Sequence, residues 1–497
     1  MPEYDANGVP IRRRPRKKKP KWKRLLHKYS PTIRFGLICA AILLVLFFSV
    51  KGLVTLVATA VENFEFPTFP TTPPVETTEP PPPTLSPEEW QALAEETAEK
   101  AEKMTLGYDY QGAIELIQSF ERYQDYDFLT EAIPKYQEED SKLVPYANMA
   151  NVTHVFFHSL IVDTDRCFDG DKEEKGYNLY MTTCDEFWAI LEEMYARGYI
   201  LVSPYDVAYE VTTASGYSYF TYGEIRLPEG KIPFMMSQDD LNYYGYMIGD
   251  GDGKGTTPAY VSVNGDGFAH KLVLDENGKV TCEYMDANGN ITTGDYDLVP
   301  LLEKFIEEHP DFSYHGARAM LGVTGYEGVF GYRTKPSYEE AMGSENYQKE
   351  VEEAKKIAQA LKDQGFLVVS HSYGHPAYGE IEAYNVQVDS DKWEDTVQPI
   401  VGETDIILYP HGSDIAGTNN YTFSNSKFVY LYEDGYRYFF NVDSAKYWVQ
   451  LGENYYRASR RNLDGYRMYH YPKRLSDLFD SKAILDPGRT LPVPKLY

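Results

Sequence analysis

From Val152 onward, short apolar runs alternate with stretches whose apolar residues recur at helical spacing. Val155-Phe156-Phe157 is a strand candidate. Phe187, Ile190, Leu191, Met194 and Tyr195 line one face of a helix that Gly198 stops, and Tyr199-Ile200-Leu201-Val202 follows as a strand. Leu298, Leu301, Leu302, Phe305 and Ile306 predict another helix. Val351, Ala354, Ile357, Ala358 and Leu361 predict a third, stopped by Gly365 before Leu367-Val368-Val369, and Ile406-Ile407-Leu408 is a further strand. Such alternation specifies an α/β body with a mainly parallel sheet, open or closed into a barrel. In both forms, sites lie at the carboxyl ends of strands.

Other segments break this pattern. Phe35 to Val50 is apolar or small, and after Lys51 the run resumes from Gly52 to Val61. Roughly 20 apolar residues span a bilayer, so 35–61 is expected to be a transmembrane anchor. A cleaved signal peptide ending near Ala58-Thr59-Ala60 is the competing reading. Residues 62–87 form a Pro/Thr-rich linker, extended and unable to build a core. Ser86-Pro87-Glu88-Glu89 then opens a helix as a capping box, and residues 88–148 are expected to hold a short helical hairpin that serves as a spacer. The α/β domain is assigned to 149–417, with an insertion at 241–297 marked by the hairpin turns Asp275-Glu276-Asn277-Gly278 and Asp286-Ala287-Asn288-Gly289. Residues 418–497, with Phe428-Val429-Tyr430-Leu431 and Tyr436-Arg437-Tyr438-Phe439-Phe440, are expected to form a β-rich C-terminal segment.

Charge sharpens this picture. Residues 1–34 carry 12 Lys or Arg against 2 Asp or Glu, although the 497-residue chain as a whole has a net charge of −27. A basic flank before an apolar span places the N-terminus in the cytoplasm and the acidic body outside the cell membrane. The acidic body disfavours polyanionic partners, so no nucleic acid is expected. Of the four cysteines, Cys39 lies in the proposed span. A Cys167–Cys184 bridge is one arrangement open to the others, and no CxxC suggests a thiolate metal site. The Asp/Gly-rich stretches fail as calcium loops: Lys254 stands where an oxygen ligand belongs, Val261 where the closing glutamate belongs, and Ile291 where glycine is required.

Two fragments carry the chemistry. Ser237-Gln238-Asp239-Asp240 and His371-Ser372-Tyr373-Gly374-His375 each follow an apolar run that ends in serine. If both runs are strands of one sheet, two carboxylates and two imidazoles converge at one sheet edge. Two histidines and one carboxylate hold a divalent ion with positions left open, and the second carboxylate is free to take a proton from the attacking water.

With these motifs in this order, roughly Val152 to Gly417 resembles the polysaccharide deacetylase family (carbohydrate esterase family 4), as a divergent, membrane-anchored branch. The resemblance implies a deformed (β/α) barrel, here preceded by the transmembrane helix and the helical hairpin. It implies hydrolysis of acetyl groups on N- or O-acetylated polysaccharide with a divalent metal, zinc first and cobalt or manganese as alternatives. By motif, Asp239 is the general base, and Asp240, His371 and His375 are the metal ligands. Leu408-Tyr409-Pro410-His411-Gly412 stands for the third motif, which makes Tyr409 and Pro410 substrate-binding candidates. Gln238 and Leu241 depart from the first motif, the third lacks its arginine, and the late leucine–histidine motif has no clear counterpart. Arg318 and Arg333 are candidates for the missing arginine. His411 and His470 are candidates for the general acid on chemistry alone, and His158 is expected to be a strand-end residue with a structural hydrogen bond. An extracellular setting points to peptidoglycan or a similar acetylated polysaccharide as partner. The alternative is a catalytically weak or inactive glycan-binding or wall-assembly protein on the same fold.

Overall fold

In the computed structural model, which describes residues 85–249, 255–443 and 445–496, the apolar runs become parallel strands around a closed barrel. In chain order they are β1 (Thr153–Phe157), β2 (Tyr199–Leu201) and β3 (Ile232–Gln238). The insertion follows with β4 (Lys271–Leu274), β5 (Val280–Met285) and β6 (Ile291–Gly294), a separate antiparallel sheet. The barrel resumes with β7 (Met320–Val323), β8 (Leu367–Ser370), β9 (Ile406–Leu408), β10 (Tyr438–Val442) and β11 (Tyr456–Asn462).

Seven of these strands close the ring, in the order β7, β8, β9, β10, β11, β1, β3 and back to β7, and every pairing is parallel. The closing contact is short: Met320 and Leu321 pair only with Ser237 and Gln238, at the carboxyl end of β3. β2 pairs with the amino-terminal half of the same strand, Ile232 to Phe234. The ring is therefore deformed, with β2 on the β7 side of β3.

Strand alternation sorts the core. Met235, Met320, Val369, Leu408, Phe440 and Ala458 share one buried cluster inside the ring. Val155, Phe157, Phe234, Met236, Leu321 and Val368 belong to another, beneath the helices. The principal helices are α1 (Pro87–Leu106), α2 (Tyr110–Ser119), α3 (Asp127–Ser141), α4 (Glu174–Tyr180), α5 (Cys184–Ala196), α6 (Leu298–Glu308), α7 (Ser344–Asp363), α8 (Ala383–Thr396), α9 (Ser426–Asp434) and α10 (Gly465–His470). Ser86 and Glu89 form the expected reciprocal cap at the start of α1. From Ala92 on, the described residues belong to one unit.

Several expectations need correction. The helical region before the barrel holds three principal helices rather than a hairpin, since α3 joins α2 and α1 over a small core of Ala94, Ala101, Ala113, Ile117 and Leu129. The barrel does not end at 417, because β10 and β11 supply two of its seven strands. Phe428-Val429-Tyr430-Leu431 is helical: the Asn425 side chain caps the amino end of α9, Phe428 and Leu431 turn one face inward, and Gly435 ends it in the left-handed region. Apolar periodicity cannot separate a short buried helix from a strand when aromatic residues dominate the run. Cys167, Cys184 and Cys282 are all free thiols, so the Cys167–Cys184 bridge is absent. Among the described residues no helix is long and apolar enough to cross a membrane, and the proposed anchor at 35–61 lies outside them.

Two buried polar groups tie distant segments together. Arg489 and Glu186 are fully buried and paired at 2.5 Å, and the guanidinium also donates to the Asn178 side chain and the Met181 carbonyl. Removing one partner of such a pair leaves an uncompensated charge. Arg489→Ala should therefore cost about 3–5 kcal/mol in denaturant unfolding. Arg197→Ala, at the more exposed i,i+4 pair with Glu193, should change it by no more than about 0.5 kcal/mol.

Asp297, completely buried at the head of α6, accepts from the backbone N–H groups of Leu160 and Leu298, from Gln238 Nε2 and from the Tyr243 hydroxyl. Burial outweighs these donors and pushes its carboxyl up to about 6. The folded protein then holds a proton that the unfolded chain releases near pH 4, so stability falls as pH rises from about 4 to 6. Melting measured across that window should show a loss on the order of 2–3 kcal/mol from this group, and Asp297→Asn should reduce the loss by that share.

Candidate metal and catalytic site

The carboxyl ends of β3, β8 and β9 bring the two sequence fragments together. Asp239 and Asp240 follow β3, His371 and His375 follow β8, and His411 follows β9. One carboxylate oxygen of Asp240 and one ring nitrogen each of His371 and His375 lie within 4.8 Å of one another. Asp240 Oδ2 is 3.6 Å from His375 Nε2 and 4.0 Å from His371 Nε2.

Local backbone geometry makes this convergence. Asp240, Ser372, His375 and His411 all adopt positive φ, between 56° and 64°. Non-glycine residues visit that region at a cost, and such positions cluster where function over-determines the backbone. The HxxxH turn is held by Asp389, whose carboxylate accepts from the Tyr373 and Gly374 N–H groups at 2.8 and 2.9 Å and from the Tyr378 hydroxyl at 2.9 Å. Ser372 Oγ accepts from the His375 N–H at 3.0 Å.

The ligand atoms suit a divalent ion. His371 is completely buried, and its Nδ1 sits 2.8 Å from the Leu408 carbonyl. A carbonyl only accepts, so Nδ1 carries the proton and Nε2 presents its lone pair. That Nε2 is buried without a hydrogen-bond partner. An orphaned imidazole lone pair facing a carboxylate is a fit for a Lewis acid, and a carbonyl behind the ring is the usual support of a ligating histidine. Burial also keeps His375 below the ordinary imidazole range, although Asp240 opposes this. Asp240 is oriented by the Tyr244 hydroxyl, which donates to Oδ1 at 2.6 Å. Burial alone would raise its carboxyl, but the facing histidines, His375 foremost, hold it below the usual carboxylate value. Burial first, and then the Asp240 charge, push the Tyr326 phenol up.

Asp239 is set apart from the three. It is nearly fully buried inside the ring, and Arg460 on β11 donates to its Oδ1 at 2.5 Å. Its other oxygen, Oδ2, faces His371 Nε2 at 3.8 Å. Burial would raise this carboxyl, but Arg460, then His371 and His158, overcome that and hold it well below the ordinary range. Arg460 is itself completely buried, with its guanidinium 4.5 Å from the centre of the Phe156 ring. Beneath it, His154 bonds the Ser237 hydroxyl at 3.0 Å, and burial keeps that imidazole neutral.

The structure separates the remaining candidates. His411 is exposed, with its ring edge-on to His375 at 4.4 Å between centroids. Partial desolvation where the ring packs against its neighbours, and then His375, lower it, and a hydrogen bond to the His375 backbone acts the other way. His470, at the end of α10, has Nε2 against the Val493 and Pro494 carbonyls at 2.9 and 3.1 Å. No contact among the described residues links it to Asp239.

Tyr409 is completely buried on the opposite face of β9 from Leu408, with its phenol 2.9 Å from that of Tyr421. Strand alternation turns its side chain toward α8 and α9, and only its carbonyl meets Arg460, at 3.4 Å. Pro410 is buried as well. Arg318 pairs with Glu303 and Arg333 with Glu327, so neither replaces the missing arginine.

Sequence reasoning overlooked Arg460 and gave His158 too little weight. The signal for Arg460 was a run, Arg457-Ala458-Ser459-Arg460-Arg461, that places a cation at inward-facing register in a strand. His158 does make the expected structural bond, Nδ1 to the Tyr180 carbonyl at 3.1 Å. It also lies close enough to both aspartates to lower them.

No protein-family model and no curated protein matches the chain. Among solved structures, the chain is similar to the Streptococcus pyogenes deacetylase PplD in complex with acetate, at 13% identity and a TM-score of 0.33, over 68% of this chain and 99% of that one. A likeness of that size adds nothing to what the side chains show.

Zinc, cobalt and manganese titrated into the metal-free protein should each be tested for a single site. His371→Ala should weaken the tightest of them by 100-fold or more, and Asp389→Ala, which frees the turn, by on the order of 10-fold. Isothermal titration measures both.

Proposed function

We propose that this protein is a metal-dependent deacetylase that removes acetyl groups from an N- or O-acetylated polysaccharide. The observation that carries this reading is the pairing of a three-ligand set with a separate carboxylate, Asp239, fixed at one oxygen by Arg460 and open at the other. A divalent ion held by Asp240, His371 and His375 would supply Lewis acidity, polarising an acetyl carbonyl and acidifying water.

The chain's own residues then divide the work. Asp239 Oδ2 accepts the proton of the attacking water, which adds to the acetyl carbon. Because Arg460 holds Oδ1, the carboxylate cannot rotate away from this position, and it is ionised when water arrives. The bond from the carbonyl carbon to the sugar nitrogen or oxygen breaks, acetate leaves, and the leaving atom takes a proton. Two imidazoles face the site without belonging to the ligand set, His411 beside His375 and His158 beside the aspartates. Substituting each alone identifies the donor, which is the one whose loss slows poor leaving groups more than activated aryl esters.

The N-terminal basic segment and the apolar run at 35–61 support a cell-membrane protein with its body outside, where wall glycans such as peptidoglycan are the acetylated polymers within reach. Acetate release from N-acetylated oligosaccharides by the full-length protein in detergent tests the activity. Asp239→Asn should lower it by at least 1000-fold while metal binding persists. Full activity in that variant would remove Asp239 as base. Metal retention with no turnover in the unaltered protein would favour a glycan-binding role instead.

A further inference from the structure

A run of tyrosines begins at the metal-ligand carboxylate and leads away from it. Tyr244 donates its hydroxyl to Asp240 and also bonds the Thr324 hydroxyl at 2.7 Å, which fixes the ring. Tyr326 stacks on it at 4.7 Å and 13°. Tyr246 lies near-parallel to Tyr244 at 6.0 Å and 15°, and Tyr177 near-parallel to Tyr246 at 6.5 Å and 8°. Tyr177 is anchored in turn, its hydroxyl donating to Asp266 at 2.6 Å.

These residues come from three adjoining staves. Tyr244 and Tyr246 follow β3, Tyr326 follows β7 and Tyr177 lies on α4 after β1, all leaving the carboxyl ends of strands that neighbour one another in the ring. Tyr244 and Tyr177 are nearly buried, whereas Tyr246 between them is 37% exposed. Here two buried, hydrogen-bonded tyrosines flank the exposed one in near-parallel planes, with centroids 6.0 and 6.5 Å away. A ring of this kind offers an apolar face and a polar edge together.

We infer that this tyrosine run is a sugar-binding platform, with Tyr246 as its exposed ring, which seats a neutral N-acetylated oligosaccharide beyond the unit being deacetylated. The inference rests on the deacetylase reading for the identity of the ligand. The C–H face of a pyranose ring packs on the aromatic face, and its hydroxyls meet the phenol edges. The chain's charge of −27 favours a neutral glycan over a polyanion at this surface. Because the run starts at Asp240 and moves outward, its contribution grows with the length of the sugar chain.

The test uses the full-length chain in detergent carrying Asp239→Asn, which keeps the ligand intact, with N-acetylglucosamine dimer and tetramer as probes in isothermal titration. The tetramer should bind at least 10-fold more tightly than the dimer, and adding Tyr246→Ala should erase most of that difference. Tyr246→Trp should preserve it and give an indole whose emission shifts when tetramer is added, which a purely structural ring would not show. Equal tetramer affinity with and without Tyr246→Ala, or an unchanged indole signal while tetramer binds, would overturn the platform. Tyr246-dependent tetramer binding without acetate release by the unaltered protein would uphold it and count against the deacetylase reading. Acetate release with no Tyr246-dependent binding would do the reverse.

Discussion

A carboxylate inside a closed barrel must have a cation, and the contact between Asp239 and Arg460 satisfies that requirement. Much of the site follows from it. With Oδ1 committed to the guanidinium, Oδ2 is directed at His371, and Asp240 is left, on a left-handed backbone, to turn toward His375. The same guanidinium lies against Phe156 and reaches the Tyr409 carbonyl, so it also braces β1 and β9. Adjacent aspartates thereby acquire different environments and different chemistry, a division set by neighbours rather than by residue type.

Support behind the three candidate ligands is arranged on the same logic. The Leu408 carbonyl fixes the His371 ring, Asp389 fixes the turn that carries His375, and the Tyr244 hydroxyl fixes Asp240. Each support comes from a different element, so the geometry depends on the barrel as a whole and not on any one loop. Rigid strands that carry strained turns at their ends suit a site whose ligands must be in place before an ion arrives.

Much of this was legible in the sequence because its signals are local. The runs that became β1, β2, β3, β8 and β9 are apolar, Gly198 and Gly365 stop the helices before β2 and β8, and both chemical fragments sit where a parallel sheet puts its sites. What escaped was non-local. Arg460 lies in an aromatic, polar segment whose inward register appears only once β11 pairs with β1 and β10. Tyr409 was misplaced because its face depends on strand alternation through Ile406–Leu408, which a short motif does not reveal. Phe428–Leu431 was misjudged because a four-residue apolar run carries no period of its own.

The order in which the ring closes has a consequence for how the chain reaches its folded state. Asp239 and Arg460 are 221 residues apart in sequence, and Glu186 and Arg489 are 303 apart. Contacts of such separation form late and slowly, because loop closure must precede any gain from them. Until β11 enters between β10 and β1, the ring lacks one strand and Asp239 lacks its guanidinium partner. The ring and the counter-charge of Asp239 are thus completed by the same late strand.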